Sequence, residues 1–176
     1  MPMKLAFMTF GSLLGPYGDP AVQGFWDRVP SVFDSSDQTE GFVARSRRDP
    51  GVENHTWGLR MCPKCWGDKI LPKHVVTLSV WEDLESVTAF AYSGAHGEAM
   101  KLRREWFEQH EQPEHVAWWV DEGHQPTFQE AADRMDLLHD SGPTASAFSL
   151  RKPYDPSGTL YRIDNSAVRR KAETVT

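Results

Sequence analysis

The sequence predicts one α+β domain of ferredoxin-like, split β-α-β order, whose four-stranded antiparallel sheet closes an apolar cavity by pairing with a second copy of the chain. Three observations lead there. Strand-like apolar runs stand at residues 4–10, 41–47, 74–81 and 114–120, with helical periodicity after the first and after the third. The length of 176 residues suits one domain with its own core. The first and last runs are apolar on both faces, and such a sheet must be covered twice. The expected cover for the second face is another copy of the chain, since the remaining segments are polar. The alternative cover is the chain's own loop at 48–73 together with its tail.

The first run, KLAFMTF, fits a strand buried on both sides. Gly11, Gly15, Pro16 and Gly18 then break it into a loop. Asp19 before Pro20 is a helix start, because the carboxylate caps free amides and proline is tolerated in the first turn. Val22, Phe25, Trp26 and Val29 share one helical face, and Pro30 is expected to end or kink that helix. Residues 41–47 form a weaker strand. Residues 48–73 show no period and are too long for a tight turn, which makes them an inserted flap. HVVTLSVW, at 74–81, is rich in β-branched residues and is the clearest strand.

Residues 82–110 read as a helix in two pieces, with a kink at Ser93-Gly94. Pro113 separates it from the strand EHVAWWV at 114–120. Thr127-Phe-Gln-Glu130 has the spacing of a capping box, and Gly142-Pro143 stops the helix that follows. The domain thus spans residues 1–150. Residues 151–176 carry Arg151, Lys152, Arg162, Arg169, Arg170 and Lys171 with little apolar period, and read as a mobile basic tail.

Composition narrows the function classes. A net charge of -6 repels phosphate backbones, so nucleic acid is not an expected partner. No apolar window approaches the ~20 residues that span a bilayer, and the first ten residues lack a secretory pattern. The two cysteines are too close together for a secreted disulfide framework, which points to a reducing cytoplasm. Seven tryptophans fit a large-residue core, and some of them fit the wall of a cavity for a flat apolar ligand.

The second half of the chain carries a resemblance. SVWEDLESVTAFAYSGAH at 79–96, RREWF at 103–107, AWWVDEGHQPTFQEAADRMDLL at 117–138 and SGPTASAFSL at 141–150 resemble the DUF3291 family. That family is placed among dimeric α+β barrel proteins, near the antibiotic-biosynthesis monooxygenases. The resemblance is close over 74–150 and loose over 3–47, while 48–73 and 151–176 depart from it. It implies a homodimer with a cavity between sheet and helices. Relatives in that superfamily include cofactor-free quinone-forming monooxygenases, haem-degrading enzymes, aldoxime dehydratases, decarboxylases and cyclases, so the resemblance implies a neighbourhood rather than a reaction.

Candidate chemistry lies on the second helix. Tyr92, His96, Met100, Arg103 and Phe107 recur at intervals of four, four, three and four, which is one face of a continuous helix. On an apolar stripe, polar groups are costly unless paired or used. His96 suits a general base, Arg103 a holder of an anionic or enolate oxygen, and Tyr92 a proton donor. Met100 and Phe107 would contact substrate, with whichever of Trp118 and Trp119 faces the cavity. The bland alternative is a packing His96 and a salt-bridged Arg103. A haem iron ligated by His96 is a third reading.

Cys62-Pro-Lys-Cys65, bracketed by His55 and His74, has the donor types of a tetrahedral zinc site. A redox pair or two free thiols are the alternatives. No Gly-rich dinucleotide fingerprint follows a strand, so neither a nicotinamide nor a flavin is expected. The expected function is an enzyme of secondary metabolism, monooxygenase-like, acting on a hydrophobic aromatic or polyketide-like metabolite. The alternatives are a non-redox cyclase, dehydratase or isomerase, and a metabolite-binding protein without catalysis.

Overall fold

A computed structural model describes residues 2–48 and 55–174. Strand β1 (Met3–Ser12) leads through a 3-10 turn into α1 (Gln23–Gln38), then β2 (Phe42–Arg45). After the flap come β3 (His74–Trp81), α2 (Leu84–Tyr92), α3 (Gly94–Lys101) and β4 (His115–Asp121). Helices α4 (Phe128–Ser141) and α5 (Asn165–Ala172) complete the chain. The four strands form one antiparallel sheet in the order β2-β3-β1-β4.

The local signals place most helix ends. The Asp19 carboxylate accepts the Ala21 N–H, Asp83 accepts Ser86 N–H at the start of α2, and Thr127 accepts Glu130 N–H at the start of α4. Glu130 does not complete the capping box; its carboxylate takes the indole N–H of Trp118 at 2.8 Å and pairs with His124. Gly142, with φ of 70°, ends α4 in a conformation open to glycine. Two helix boundaries differ from expectation. Pro30 lies inside α1, which runs on to Gln38, with Val32 and Phe33 beyond the proline facing the cavity described below. The helix expected to reach residue 110 stops at Lys101 and is followed by a 3-10 turn, Arg103–Glu105.

Strand register divides the sheet into two apolar faces. On one, Leu5, Phe7, Thr9 and Gly11 of β1 oppose Trp81, Ser79, Thr77 and Val75 of β3. On the other, Ala6, Met8 and Phe10 share a core with Val76, Leu78, Val116 and Trp118.

The chain covers that second face itself. Phe128, Ala131, Met135 and Leu138 of α4 join its core, and Trp57, Met61, Trp66 and Ile70 of the flap pack at its margin. The space given to a second copy by the sequence reading is therefore occupied by α4 and residues 55–73. The flap's apolar residues are spaced among polar ones without a period, which is why the segment reads as solvated. Residues 49–54 of the flap lie outside the described residues.

The tail is not a free arm within its described residues, 151–174. Tyr154 and Ile163 pack against the first face's core, and α5 lies on α2. Glu85, only 7% exposed, anchors this return. Its carboxylate accepts the Tyr161 hydroxyl at 2.8 Å and the Asp164 N–H at 2.9 Å, and it pushes the Tyr161 phenol up to about 12. Lys171 reaches Glu40 at 3.2 Å and Asp83 at 3.6 Å. Replacing Glu85 by Ala leaves those two donors without their acceptor and is expected to cost on the order of 1–3 kcal/mol. Hydrogen exchange should quicken at residues 161–172 before the sheet is affected; unchanged protection there would contradict the anchoring role.

Candidate functional site

A cavity of about 250 Å³ lies between the first sheet face and helices α1, α2 and α3. It falls just below the usual range for small-molecule pockets, roughly 300–1,000 Å³. Its floor is strand: Phe7 and Thr9 of β1, Thr77 of β3, and His115 of β4. Its roof is the apolar side of α1, including Phe25, Val29 and Val32.

All five residues of the expected helical stripe, Tyr92, His96, Met100, Arg103 and Phe107, line this cavity. They do so without one continuous helix. Arg103 sits on the 3-10 turn and Phe107 on an extended segment that bridges to Leu13. Gly11 permits that approach, since a Cβ there would lie 2.6 Å from the Phe107 ring. Tyr92 stands 57% exposed beside the cavity.

His96 has a defined protonation pattern. Its Nδ1 lies 2.7 Å from the Ala91 carbonyl oxygen, which can only accept, so Nδ1 carries the proton. Burial pushes its pKa down, opposed by that hydrogen bond and aided by the Arg103 charge. The neutral ring then keeps its lone pair on Nε2. Arg103 donates to Glu114 in an ion pair, so its charge is already matched.

His115 is tied at the other ring nitrogen. Its Nε2 accepts the backbone N–H of Leu150 at 3.1 Å, which leaves Nδ1 to carry the proton. Burial pushes its pKa down to about 4. The Phe7 ring packs beside it with centroids 5.6 Å apart. Thr9 pairs with both Thr77 and His115 in the strand register, and the two threonine hydroxyls are 2.5 Å apart. This polar row was open to reading from period two, because His115, Ala117 and Trp119 share one face of their strand.

The tryptophan assignments change. Trp118 points into the opposite core and Trp119 gives its indole N–H to the Tyr154 carbonyl at 2.8 Å; neither lines the cavity. Trp81 and Trp106 do. The indole N–H of Trp81 is satisfied by the Ser79 hydroxyl at 2.8 Å.

The four residues read as a zinc set take separate roles. The Nδ1 of His74 accepts the Leu71 N–H, and His55 lies edge-on to Phe128 beside the cavity. Lys64 and Cys65 give their backbone N–H groups to the Asp136 carboxylate. Burial pushes both thiols up, Cys65 to about 12, with Asp136 adding to the effect. Among the described residues no three His, Cys, Asp or Glu side chains converge as metal ligands. Among the same residues no helix is long and apolar enough to cross a membrane.

The chain belongs to the family described as Domain of unknown function (DUF3291), which matches residues 4–164. No curated protein matches the sequence. Among solved structures it is similar to a conserved protein from Methanosarcina mazei Go1, with a TM-score of 0.43 and 12% identity over 68% of this chain and 92% of that one.

The half-buried histidines make a pH prediction. His55 and His115 are both held near 4, against 6.5 for an unperturbed ring. Between those values the unfolded chain binds protons that the folded chain does not. Stability should therefore fall as pH drops from about 6.5 to about 4, and this contribution should level off below. His115→Gln keeps an acceptor for Leu150 but does not titrate, so its stability should fall less steeply over that window. Urea unfolding at a series of pH values checks this; parallel curves for the two proteins would contradict it.

Proposed function

We propose that this DUF3291 member is a small-molecule enzyme that takes a hydrophobic aromatic or polyketide-like metabolite of one or two rings and activates it by removing a proton to His96. The observation that carries the reading is the His96 ring. Its Nδ1 proton is committed to Ala91, desolvation favours its neutral form, and the ring lines a largely apolar cavity. A neutral imidazole in such surroundings suits a base for a phenol or an acidic C–H group. Met100, Phe107, Trp81 and Trp106 supply apolar contact surface for the rings.

The phenolate or enolate so formed is electron-rich and open to attack by molecular oxygen, which makes the reading monooxygenase-like. One oxygen atom enters a ring carbon as a carbonyl, and the other leaves as water with two hydrogens of the substrate. Such chemistry draws all four electrons for the reduction of O₂ from the substrate and calls for no cofactor. Arg103 is bonded to Glu114, so we read it as a positioning group rather than the anion holder. The strand order β2-β3-β1-β4, antiparallel throughout, supports a ferredoxin-like split β-α-β arrangement. Homodimerisation remains part of this reading, as the resemblance to the family implies. Cytoplasmic location is our reading of two closely spaced cysteines in the thiol state.

Oxygen uptake with dihydroxynaphthalenes tests the proposal. His96→Ala should lower the rate by about 100-fold with little change in affinity, as loss of a general base does. Ala99→Phe, which fills the cavity, should weaken ligand binding by about tenfold, or ~1.4 kcal/mol. Full turnover in His96→Ala would overturn the assignment, and binding without any turnover would make the chain a binding protein.

A further inference from the structure

We infer that His115 is the acid partner of His96: a neutral imidazole whose Nδ1–H, together with the Thr9–Thr77 hydroxyl pair, holds the carbonyl or enolate oxygen of an enolisable, hydrophobic ketone. The inference rests on the proposed role of His96 and deepens it by naming the substrate class.

Two half-buried histidines line one cavity in the same Nδ1–H tautomer, but the backbone ties opposite ring nitrogens, so different valences are left free. The Ala91 carbonyl takes the proton side of His96 and leaves Nε2 as an acceptor. The Leu150 amide takes the acceptor side of His115 and leaves Nδ1–H as a donor. One ring is thereby suited to receiving a proton and the other to presenting one. Arg103 raises the electrostatic cost of a positive charge on either ring, and its partner Glu114, next to His115, offsets that effect there. A neutral imidazole is a weaker acid than an imidazolium and better matched to an enol, so it can hold a developing enolate without surrendering its proton.

The floor of the cavity adds a second donor. Thr77, Thr9 and His115 form one cross-strand row on an otherwise apolar face, flanked by Phe7 and Val75. Residues directly opposite in antiparallel strands have their Cβ atoms about 4.5–5.5 Å apart. In the Thr9–Thr77 pair one hydroxyl donates to the other, so the second keeps a hydrogen to give. A ligand oxygen over this row can meet the threonine hydroxyl and the imidazole N–H together. An apolar wall around those donors admits the carbon skeleton of a ketone and strengthens the hydrogen bonds to its oxygen.

The step balances without an oxidant. The α C–H bond breaks and its proton goes to Nε2 of His96. The bonding pair forms the C=C bond, and the carbonyl π pair moves onto the oxygen held by His115. Return of the proton to the same carbon gives exchange, and return to another carbon of a conjugated substrate gives isomerisation.

The test uses 2-tetralone, a two-ring ketone with acidic α-hydrogens, and the full-length chain. The wild-type protein should bind it, lower its carbonyl stretching frequency in the infrared, and catalyse α-hydrogen exchange with D₂O. In His96→Ala the bound carbonyl should stay shifted while exchange falls by about 100-fold. In His115→Phe the shift should vanish and exchange should fall by a similar factor. His115→Gln can accept from Leu150 and donate to the ketone through one amide, so it should restore part of the shift, a rescue that a merely structural role would not give. An unshifted carbonyl in bound wild type, or the same shift in His115→Phe, overturns the assignment and leaves His96 standing. Absence of 2-tetralone binding overturns both.

Discussion

Everything in this fold follows from a central strand that is apolar on both sides. Residues of β1 alternate between two cores, with Leu5 and Phe7 on one face and Ala6, Met8 and Phe10 on the other. Neither face can be left to water, because each would expose a row of large side chains. The chain meets the two requirements differently. The second face is packed along its length by α4 and the flap. The first is packed at one end by α2 and the returning tail, where Leu5, Trp81, Ala117 and Phe148 meet. At its other end α1 and α3 stand over Thr9, Thr77 and Val75, and the cavity lies there. Site and fold are thus consequences of one alternation.

Polar groups on such a face need partners, and the partners chosen define the chemistry. Trp81 is satisfied by Ser79, whose hydroxyl in turn reaches the Phe7 carbonyl at 3.3 Å. That chain closes on itself and offers nothing to a ligand. His96 and His115 are each tied at one ring nitrogen only, by Ala91 and Leu150. A histidine held this way has one free valence of known type, acceptor in one case and donor in the other. Arg103, by contrast, is committed to Glu114, which explains why the residue with the strongest formal charge is not the strongest candidate for substrate contact.

Strand positions and the stripe from Tyr92 to Phe107 were legible in the sequence because both depend on local periodicity. The stripe survives the end of α3 because the 3-10 turn at Arg103–Glu105 keeps the chain turning in the same sense before Phe107 crosses to Gly11. The cover of the second face was not legible. Trp57, Met61, Trp66 and Ile70 have no period, so only tertiary contact reveals them as a packing surface. The tail was hidden for a related reason. Its anchor is a buried carboxylate, Glu85, on a distant helix, and its own basic residues suggest solvation. His115 was missed because its partner, the amide of Leu150, is 35 residues away and carries no side-chain signature.

Helix α1 forms the roof of the cavity. Its buried residues are Ser35 and Ser36, near its C-terminal end, while Phe25, Val29, Val32 and Phe33 are half-buried and turned to the cavity. A helix whose apolar side faces a cavity rather than a sheet gains less dispersion energy than one packed directly on it. Elements with few packed contacts open at lower free energy than the rest of a domain. The first turns of α1 are held from the side instead, by Phe25 against Phe107 at 5.3 Å between centroids and by Arg28 over the Trp106 ring at 5.0 Å. Phe107 and Trp106 follow directly on the Arg103 turn, so the roof is fastened to the same segment that carries the site's ion pair. Movement of α1 would therefore be felt at Arg103 and Glu114, one residue from His115.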